Sequence, residues 1–451
     1  MADARHTALR VLNRLDRDGK TLDRILLELP QGEDFLPRRD RSLLNALVYG
    51  ALRWRGRLDH VISHFSDLPL GRIQPIVMNI LRLGLFQMLF LDRIPNSAAV
   101  NTSVKLTKRT RNYQETGFVN ALLRKAAVDY DLVPFSSFEE DPLGFLTCAR
   151  SVPEWLARRW LKRFSTETIR AQAKAINTIP PITVRTNTLK TNRKQLIRSL
   201  KDSVEHLEPT SYAPEGVKIL NPRHSIPHLK AFQDGWFQVQ DEAAQLVSLL
   251  LNPKAGESVL DACAGLGGKT AHLAQLMNDR GTITALDNHS QKLRQLDDEM
   301  QRLGISIVRP ACQDLQTPTT ENQHTGFDRV LVDAPCSGLG VMRRNPDIKW
   351  NSSPERLSDL ADTQKQILNN LAARVKPGGI LVYTVCSMEP EENKAVIDDF
   401  LKNHPDFDID NDLGKLPAAI RSGINSVGGF TTLAFSEHMD GFFLARLKRK
   451  K

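Results

Sequence analysis

The chain of 451 residues has few cysteines, and they build no framework. The five (Cys148, Cys263, Cys312, Cys336 and Cys386) are odd in number and irregular in spacing, with no Cys-x-x-Cys pair. That pattern excludes a disulfide scaffold and the usual zinc ligand sets. The opening "MADARHTALRVLNRLDRDGK" lacks the apolar core of a signal peptide and is charged and periodic instead. The most apolar stretch, "IVMNILRLGLFQMLFL" (76–91), is short and holds Arg82 and Gln87, so it reads as a buried helix and not a membrane span. Internal repeats and low-complexity tracts are absent. What remains is the expectation of a monomeric cytoplasmic protein with free thiols, no metal and no membrane.

The composition, 41% hydrophobic and 25% charged, is that of a globular chain, and its length calls for two or three domains. The net charge is +9, and residues 1–130 carry 21 Lys and Arg against 13 Asp and Glu. A surplus placed there suits a polyanion such as nucleic acid, although a solvated helical surface explains it equally well. Helical periods run through this part, as in "LLNALVYGALRW", "AAVNTSVKLTK" and "GFVNALLRK". An all-helical bundle over 1–140 follows, with "DLVPFSSFEEDP" (131–142) as linker. Residues 150–235 read as a small α/β subdomain rich in Arg and Lys: helix "PEWLARRWLKRF", strand "PPITVRTNTLK", helix "TNRKQLIRSLKD", strands "GVKILN" and "GWFQVQ". From 236 to 451, strands such as "SVLDACAG", "GTITALD", "FDRVLVDAP" and "ILVYTVCS" alternate with helices such as "SQKLRQLDDEMQRLG" and "TQKQILNNLAARVKPGG". That alternation predicts a doubly wound, Rossmann-like parallel sheet with ligands at the carboxyl ends of its strands.

Two motifs sit at such ends. "LDACAGLGGKT" (260–270) is a glycine-rich turn between the first strand and its helix. A phosphate-cradling loop needs glycine five residues before Gly268, where Cys263 stands, and Gly265, Gly267 and Gly268 do not make G-x-G-x-x-G. S-adenosylmethionine, which has no pyrophosphate, is the remaining cofactor for this shape. Asp287, 19 residues past Gly268, is placed for a ribose diol, and Asp314 for an adenine edge. Either acid could instead simply cap a helix. The second motif is a pair: Cys336 in "DAPCSG" and Cys386 in "VCSMEPEEN" follow two strand-like runs. A cysteine at a strand end is usually a small buried residue. Two of them facing one cofactor turn, with no histidine near, fit methylation at carbon 5 of a pyrimidine. That carbon becomes nucleophilic only when a thiolate adds to the neighbouring carbon 6, and a second group then assists release.

"DAPCSGLGVMRRNPDIKW" (333–350) and "YTVCSMEPEEN" (383–393) resemble the Sun-type RNA cytosine-5 methyltransferase family, with support from "DACAGLGGKT", "QVQDEAAQLV" and the terminal "DGFF". "SAAVNTSVKLTK" and "GFVNALLRK" are similar to the NusB-type RNA-binding domain fused to one branch of that family. The resemblance implies that Cys386 is the nucleophile, that Cys336 serves product release and that Asp333 lines the cofactor and base pocket. It implies an S-adenosylmethionine site formed by Cys263, Ala264, Gly265, Leu266, Gly267, Gly268, Lys269, Asp287, Asp314 and Asp333, and small-subunit ribosomal RNA as substrate. Residues 150–235 would help to grip that RNA. The chain departs from the family pattern at Gly265-Leu266, where Ala-Pro is usual, and at Val385, where Thr is usual. A rival expectation is an RNA-binding assembly or antitermination factor whose catalytic domain has decayed.

Overall fold

The computed structural model describes residues 3–30, 35–110, 113–317, 326–421, 429–431 and 439–451. The chain divides into two compact units, one of residues 1–179 with 342–353, the other of 180–341 with 354–451.

The first unit is helical. Helix Pro75–Phe90 runs through its core, opening on a proline at the first turn, where no N–H is needed. Residues 77–87 are all buried, so this is the helix predicted from the apolar stretch. Its polar side chains are satisfied locally: Arg82 pairs with Asp59 at 2.6 Å and Gln87 Nε2 donates to the Leu83 carbonyl at 2.9 Å. Helix Arg38–Arg53 crosses it at Gly50, where a Cβ would lie 1.9 Å from the Phe86 ring. Among the described residues, no helix is long and apolar enough to cross a membrane.

Residues 342–353 complete this unit. Asp347 accepts from the Leu22 N–H at 3.1 Å, and Trp350 Nε1 donates to the Leu52 carbonyl at 2.7 Å. Lys349 is fully buried; its Nζ donates to the Arg53 carbonyl (2.7 Å), the Ser151 carbonyl (3.1 Å) and Asn177 Oδ1 (3.2 Å). Burial, and then the charge of Arg53, push the lysine well below its usual pKa, and the three oxygens, which accept its N–H bonds, oppose that shift and fix the side chain in place.

The second unit carries two sheets. β1 (Ile182–Thr186), β2 (Val204–Pro209), β3 (Gly216–Pro222) and β4 (Phe237–Val239) form an antiparallel sheet in the order β2-β3-β1-β4. The larger sheet runs β7-β6-β5-β8-β9-β12-β10, with β11 beside β12. Its strands are β5 (Ser258–Ala262), β6 (Thr282–Asp287), β7 (Val308–Cys312), β8 (Phe327–Asp333), β9 (Val375–Val385), β10 (Phe407–Ile409), β11 (Gly429–Thr431) and β12 (Phe443–Arg449). β5 to β9 are mutually parallel, as the strand–helix alternation predicts. Side chains alternate between two cores, as period-2 strands require: Val259, Leu331 and Val382 pack on one face, Leu260, Val330, Leu381 and Tyr383 on the other.

Three features differ from the sequence reading. β12 runs antiparallel to β9, so the sheet is mixed. β9 starts at Val375 and takes in "VKPGG", which the helical reading had absorbed; Pro377 and Gly378 (φ +78°) cannot continue a helix. β2 was missed because "VEHLEP" is an exposed edge strand with little apolar alternation.

Replacing Lys349 by Met leaves three buried oxygens without donors and is expected to lower unfolding free energy by about 3 kcal/mol. Urea denaturation of wild type and variant measures it, and a loss within error of zero would refute the buried-cation role.

Candidate active site

The turn after β5 is wound tightly. Cys263 takes a left-handed backbone (φ +63°), Gly265 and Gly267 follow at +58° and +82°, and helix Gly268–Leu276 begins at once. A non-glycine residue pays for that conformation, typically at about 1 kcal/mol or more, and such residues gather where the backbone approaches a ligand. Gly267 also has no room: a Cβ there would sit 2.8 Å from Leu296 Cγ. The Ala264 N–H donates to the Leu286 carbonyl (2.7 Å) and the Gly265 N–H to Asp287 Oδ2 (3.0 Å), which ties the turn to the end of β6.

Sheet register lines up the acids. Asp287 ends β6 beside Cys312 of β7, and Asp333 ends β8 opposite Thr384 of β9. Cys263, Gly265, Asp287, Asn288, Asp314 and Asp333, with others, surround a cavity of about 260 Å³. Asp287 does part of a cap's work, its Oδ1 accepting from the His289 N–H at 2.9 Å, but both carboxyl oxygens keep lone pairs for a second donor. Asp314 accepts from the Gln316 N–H at 3.0 Å. Leu266 is 57% exposed and Ala264, Gly267 and Gly268 shape the turn without lining the cavity. Lys292, Gln313 and Ile367 line it and gave no signal in the sequence.

Lys269 lies over the Phe442 ring and bonds Asp333 Oδ2 at 2.6 Å. Burial opposes its charge, but Asp333 outweighs burial and holds the ammonium above its usual pKa. The Cys263 thiol is pushed up by burial and then by Asp333 and Asp287, so it is a wall and not a nucleophile. Beneath the turn, Asp261 is buried, with Thr270 Oγ1 donating to Oδ2 (2.6 Å) as the carboxyl's one hydrogen-bond partner among the described residues; burial pushes its pKa up to about 7. The buried Arg185 of β1, lowered by burial to about 9, bonds the Gly268 carbonyl (2.9 Å) and Gln275 (3.0 Å), bracing this helix against the antiparallel sheet.

The two strand-tip cysteines meet. Cys336 Sγ and Cys386 Sγ are 3.2 Å apart, each half-buried. The Gly340 N–H donates to the Cys386 carbonyl at 2.9 Å, and a Cβ at Gly340 would strike the Gly441 carbonyl, so the "SGLG" glycine lets the two loops close. Cys148 and Cys312 lie elsewhere, in helical residues 145–149 and at the end of β7. Among the described residues no three His, Cys, Asp or Glu side chains gather as for a metal ion.

A parallel sheet with a glycine turn after β5 and acids at the ends of β6 and β8 defines a Rossmann-like methyltransferase fold. Family models match in series: NusB family over residues 2–128, an RsmF/B-like ferredoxin-like domain over 152–225, and 16S rRNA methyltransferase RsmB/F over 248–448. The chain is 36% identical to a probable ribosomal RNA small subunit methyltransferase B of Bacillus subtilis, covering 99% of this chain and 98% of that one. A Synechocystis protein of the same description is 35% identical over the full length of both. Among solved structures, PH0851 superposes with a TM-score of 0.79 at 27% identity over 99% of each chain. NSun6 from Pyrococcus horikoshii with SFG superposes at 0.58 and 21% identity over 66% of this chain and 98% of its own, a likeness of fold. The chain belongs to the RsmB/F family of 16S rRNA methyltransferases.

The raised acid gives a pH test. The folded state keeps the Asp261 proton where the unfolded chain has lost it, so stability falls as pH rises from about 4 to about 7 and levels off above. Asp261→Asn should remove that component, and the difference between wild-type and variant urea midpoints across this range measures it. A difference independent of pH would refute the raised carboxyl.

Proposed function

We propose that the protein uses S-adenosylmethionine to methylate carbon 5 of a cytosine in small-subunit ribosomal RNA, through a covalent bond between Cys386 and the base. The observation that carries this reading is the 3.2 Å approach of two sulfurs beside the acid-lined cavity that Asp333 borders. The cavity's chemistry fits the donor: Asp287, Asp314 and Asp333 would repel a pyrophosphate but suit a ribose diol, an adenine amine and a positively charged sulfur. When bound, S-adenosylmethionine supplies an electrophilic methyl carbon. Asp287 would accept from the ribose hydroxyls and Asp314 would meet the adenine edge, while the Cys263–Lys269 turn would let backbone approach the amino-acid end.

Cys386 as thiolate adds to carbon 6 of the cytosine, forming a C–S bond and an electron-rich carbon 5. Carbon 5 takes the methyl group, whose old bonding pair stays with the donor as a neutral thioether; the carbon-5 proton then passes to a base, and the returning electron pair expels the Cys386 sulfur as thiolate. The Cys336 S–H hydrogen-bonds that sulfur as it leaves, which is the release step. Lys269, held by Asp333, supplies a fixed positive charge beside the developing anion. The target base has to leave its stack to reach Cys386, so a loop or single-stranded region is the natural substrate. On this reading residues 1–140 and 150–235 grip RNA and residues 236–451 carry the chemistry.

Cys386→Ala is expected to abolish methyl transfer, by at least about a thousandfold, while RNA binding by filter retention is unchanged. Retained turnover would sink the nucleophile assignment. Cys336→Ala should accumulate a protein–RNA adduct that survives denaturing electrophoresis; normal turnover without adduct would reduce Cys336 to packing. Bisulfite sequencing of ribosomal RNA with and without the protein identifies the modified cytosine.

A further inference from the structure

Glu392 is fully buried, yet among the described residues its carboxylate meets only neutral donors. Oε1 accepts from the Ser337 N–H at 2.7 Å and from Gln364 Nε2 at 3.0 Å, and Oε2 accepts from the Ser337 hydroxyl at 2.6 Å. Two of these three bonds fall on the residue directly after Cys336. The Ser337 hydroxyl also reaches Ser387, the residue directly after Cys386, at 3.3 Å. Gln364 is held in turn by the Pro335 carbonyl (2.9 Å), and the buried Tyr383 hydroxyl reaches the Glu392 carbonyl (2.7 Å). Every link is an uncharged group that fixes the two thiol loops to one carboxylate. An unpaired buried carboxylate costs several kcal/mol of desolvation, which a merely structural role could avoid with a neutral amide.

We propose that Glu392 is a positioning residue: it clamps the Cys336 turn against Cys386 and, by its charge, assigns the anionic role to Cys386 and the hydrogen-bond donor role to Cys336. This rests on the two-thiol reading above. Two sulfurs at 3.2 Å cannot both carry charge, so one proton stays with the pair. The Cys336 thiol is pushed well up, first by its hydrogen bond to Cys386, then by burial, and then by the charges of Cys386 and Glu392. Through its two bonds to Ser337, Glu392 adds a negative charge on the Cys336 side of the pair and so favours the proton on that sulfur.

Glu392→Gln tests this with little disturbance. Its oxygen can keep the Ser337 N–H and Gln364 bonds, and its new NH₂ can donate to the Ser337 hydroxyl, which accepts as readily as it donates. The full-length protein, without RNA, is pulsed with iodoacetamide at neutral pH, and peptide mass spectrometry gives the ratio of labelling at Cys336 to Cys386. Both cysteine residues are partly exposed. The ratio is expected to rise about tenfold in the variant, the effect of one pKa unit between the thiols. Methyl transfer should lose kcat with the KM for S-adenosylmethionine unchanged. An unchanged labelling ratio in folded Glu392→Gln would overturn the proposal. Should that variant lack a cooperative thermal transition, the wild type decides instead: Cys386 must label faster than Cys336, or the proposal falls. Labelling is read in the absence of RNA, so its outcome is separate from the Cys386→Ala assay that decides the reading itself.

Discussion

The site depends on the parallel register of β8 and β9. Asp333 lies opposite Thr384, and the pairing runs one step further through the Ala334 N–H and the Thr384 carbonyl at 3.1 Å. Both strands then end within a residue of each other, and the chain leaves each by a short loop bearing a cysteine. Strand register is strict here because both faces of the sheet are buried: a slip of one residue would exchange the side chains of β9 between two different cores. The bulge between Phe327 and Arg329 absorbs the irregular "VKPGG" start of β9 before the register reaches the site. The hydrophobic cores thereby set a sulfur–sulfur distance that neither loop could hold alone.

Electrostatics at the strand ends is sorted by burial. At the strand ends Lys269 pairs with Asp333 at 2.6 Å, which keeps a positive charge near Cys386. Deeper, where burial dominates, Asp261 is pushed up to about 7 and Cys263 keeps its proton. Buried Arg185 is held by amide and carbonyl oxygens from two elements, helix Gly268–Leu276 and β4, which spreads its charge without adding a carboxylate to an already acidic wall. The result is a turn whose backbone is fixed while its side chains contribute few mobile charges.

Much of this was legible in the sequence where one residue type answers to one physical demand. The glycines at 265 and 267 are demanded by positive φ, the acids at 287 and 333 close hydrophobic strands, and the paired cysteines end two buried runs. Glu392 was not legible, because "EPEEN" offers three acids, two of which the fold buries, and only the fold sets Glu392 against Ser337. Lys292 and Ile367 come to the cavity from helices whose periodicity speaks for their apolar faces and not for their rims. The stretch 342–353 shows the opposite failure. Residues 342–350 belong to the specific stretch 333–350 that carries the family resemblance, yet Asp347, Lys349 and Trp350 spend their polar groups on the helical unit. A family signature marks constraint, and sequence alone does not separate constraint by packing from constraint by chemistry.

The departure at Gly265-Leu266 illustrates how constraint can move. Proline at 266 would fix φ and stiffen the turn. Here the same stiffness comes from outside it: the Gly265 N–H is fixed by Asp287, the Ala264 N–H by the end of β6, and the following helix by Arg185. Leu266 itself is exposed, so its side chain is free of that bracing. A turn pinned at both ends by hydrogen bonds loses little freedom on binding, so the loss of a proline between the pins need not loosen the donor site. The same logic covers Val385: its side chain is buried in the sheet core, and the neighbouring Thr384 hydroxyl is spent on the Phe443 carbonyl at 3.0 Å. The sulfur at 386 is positioned by the register of β9 and by Gly340, and neither needs a hydroxyl at 385.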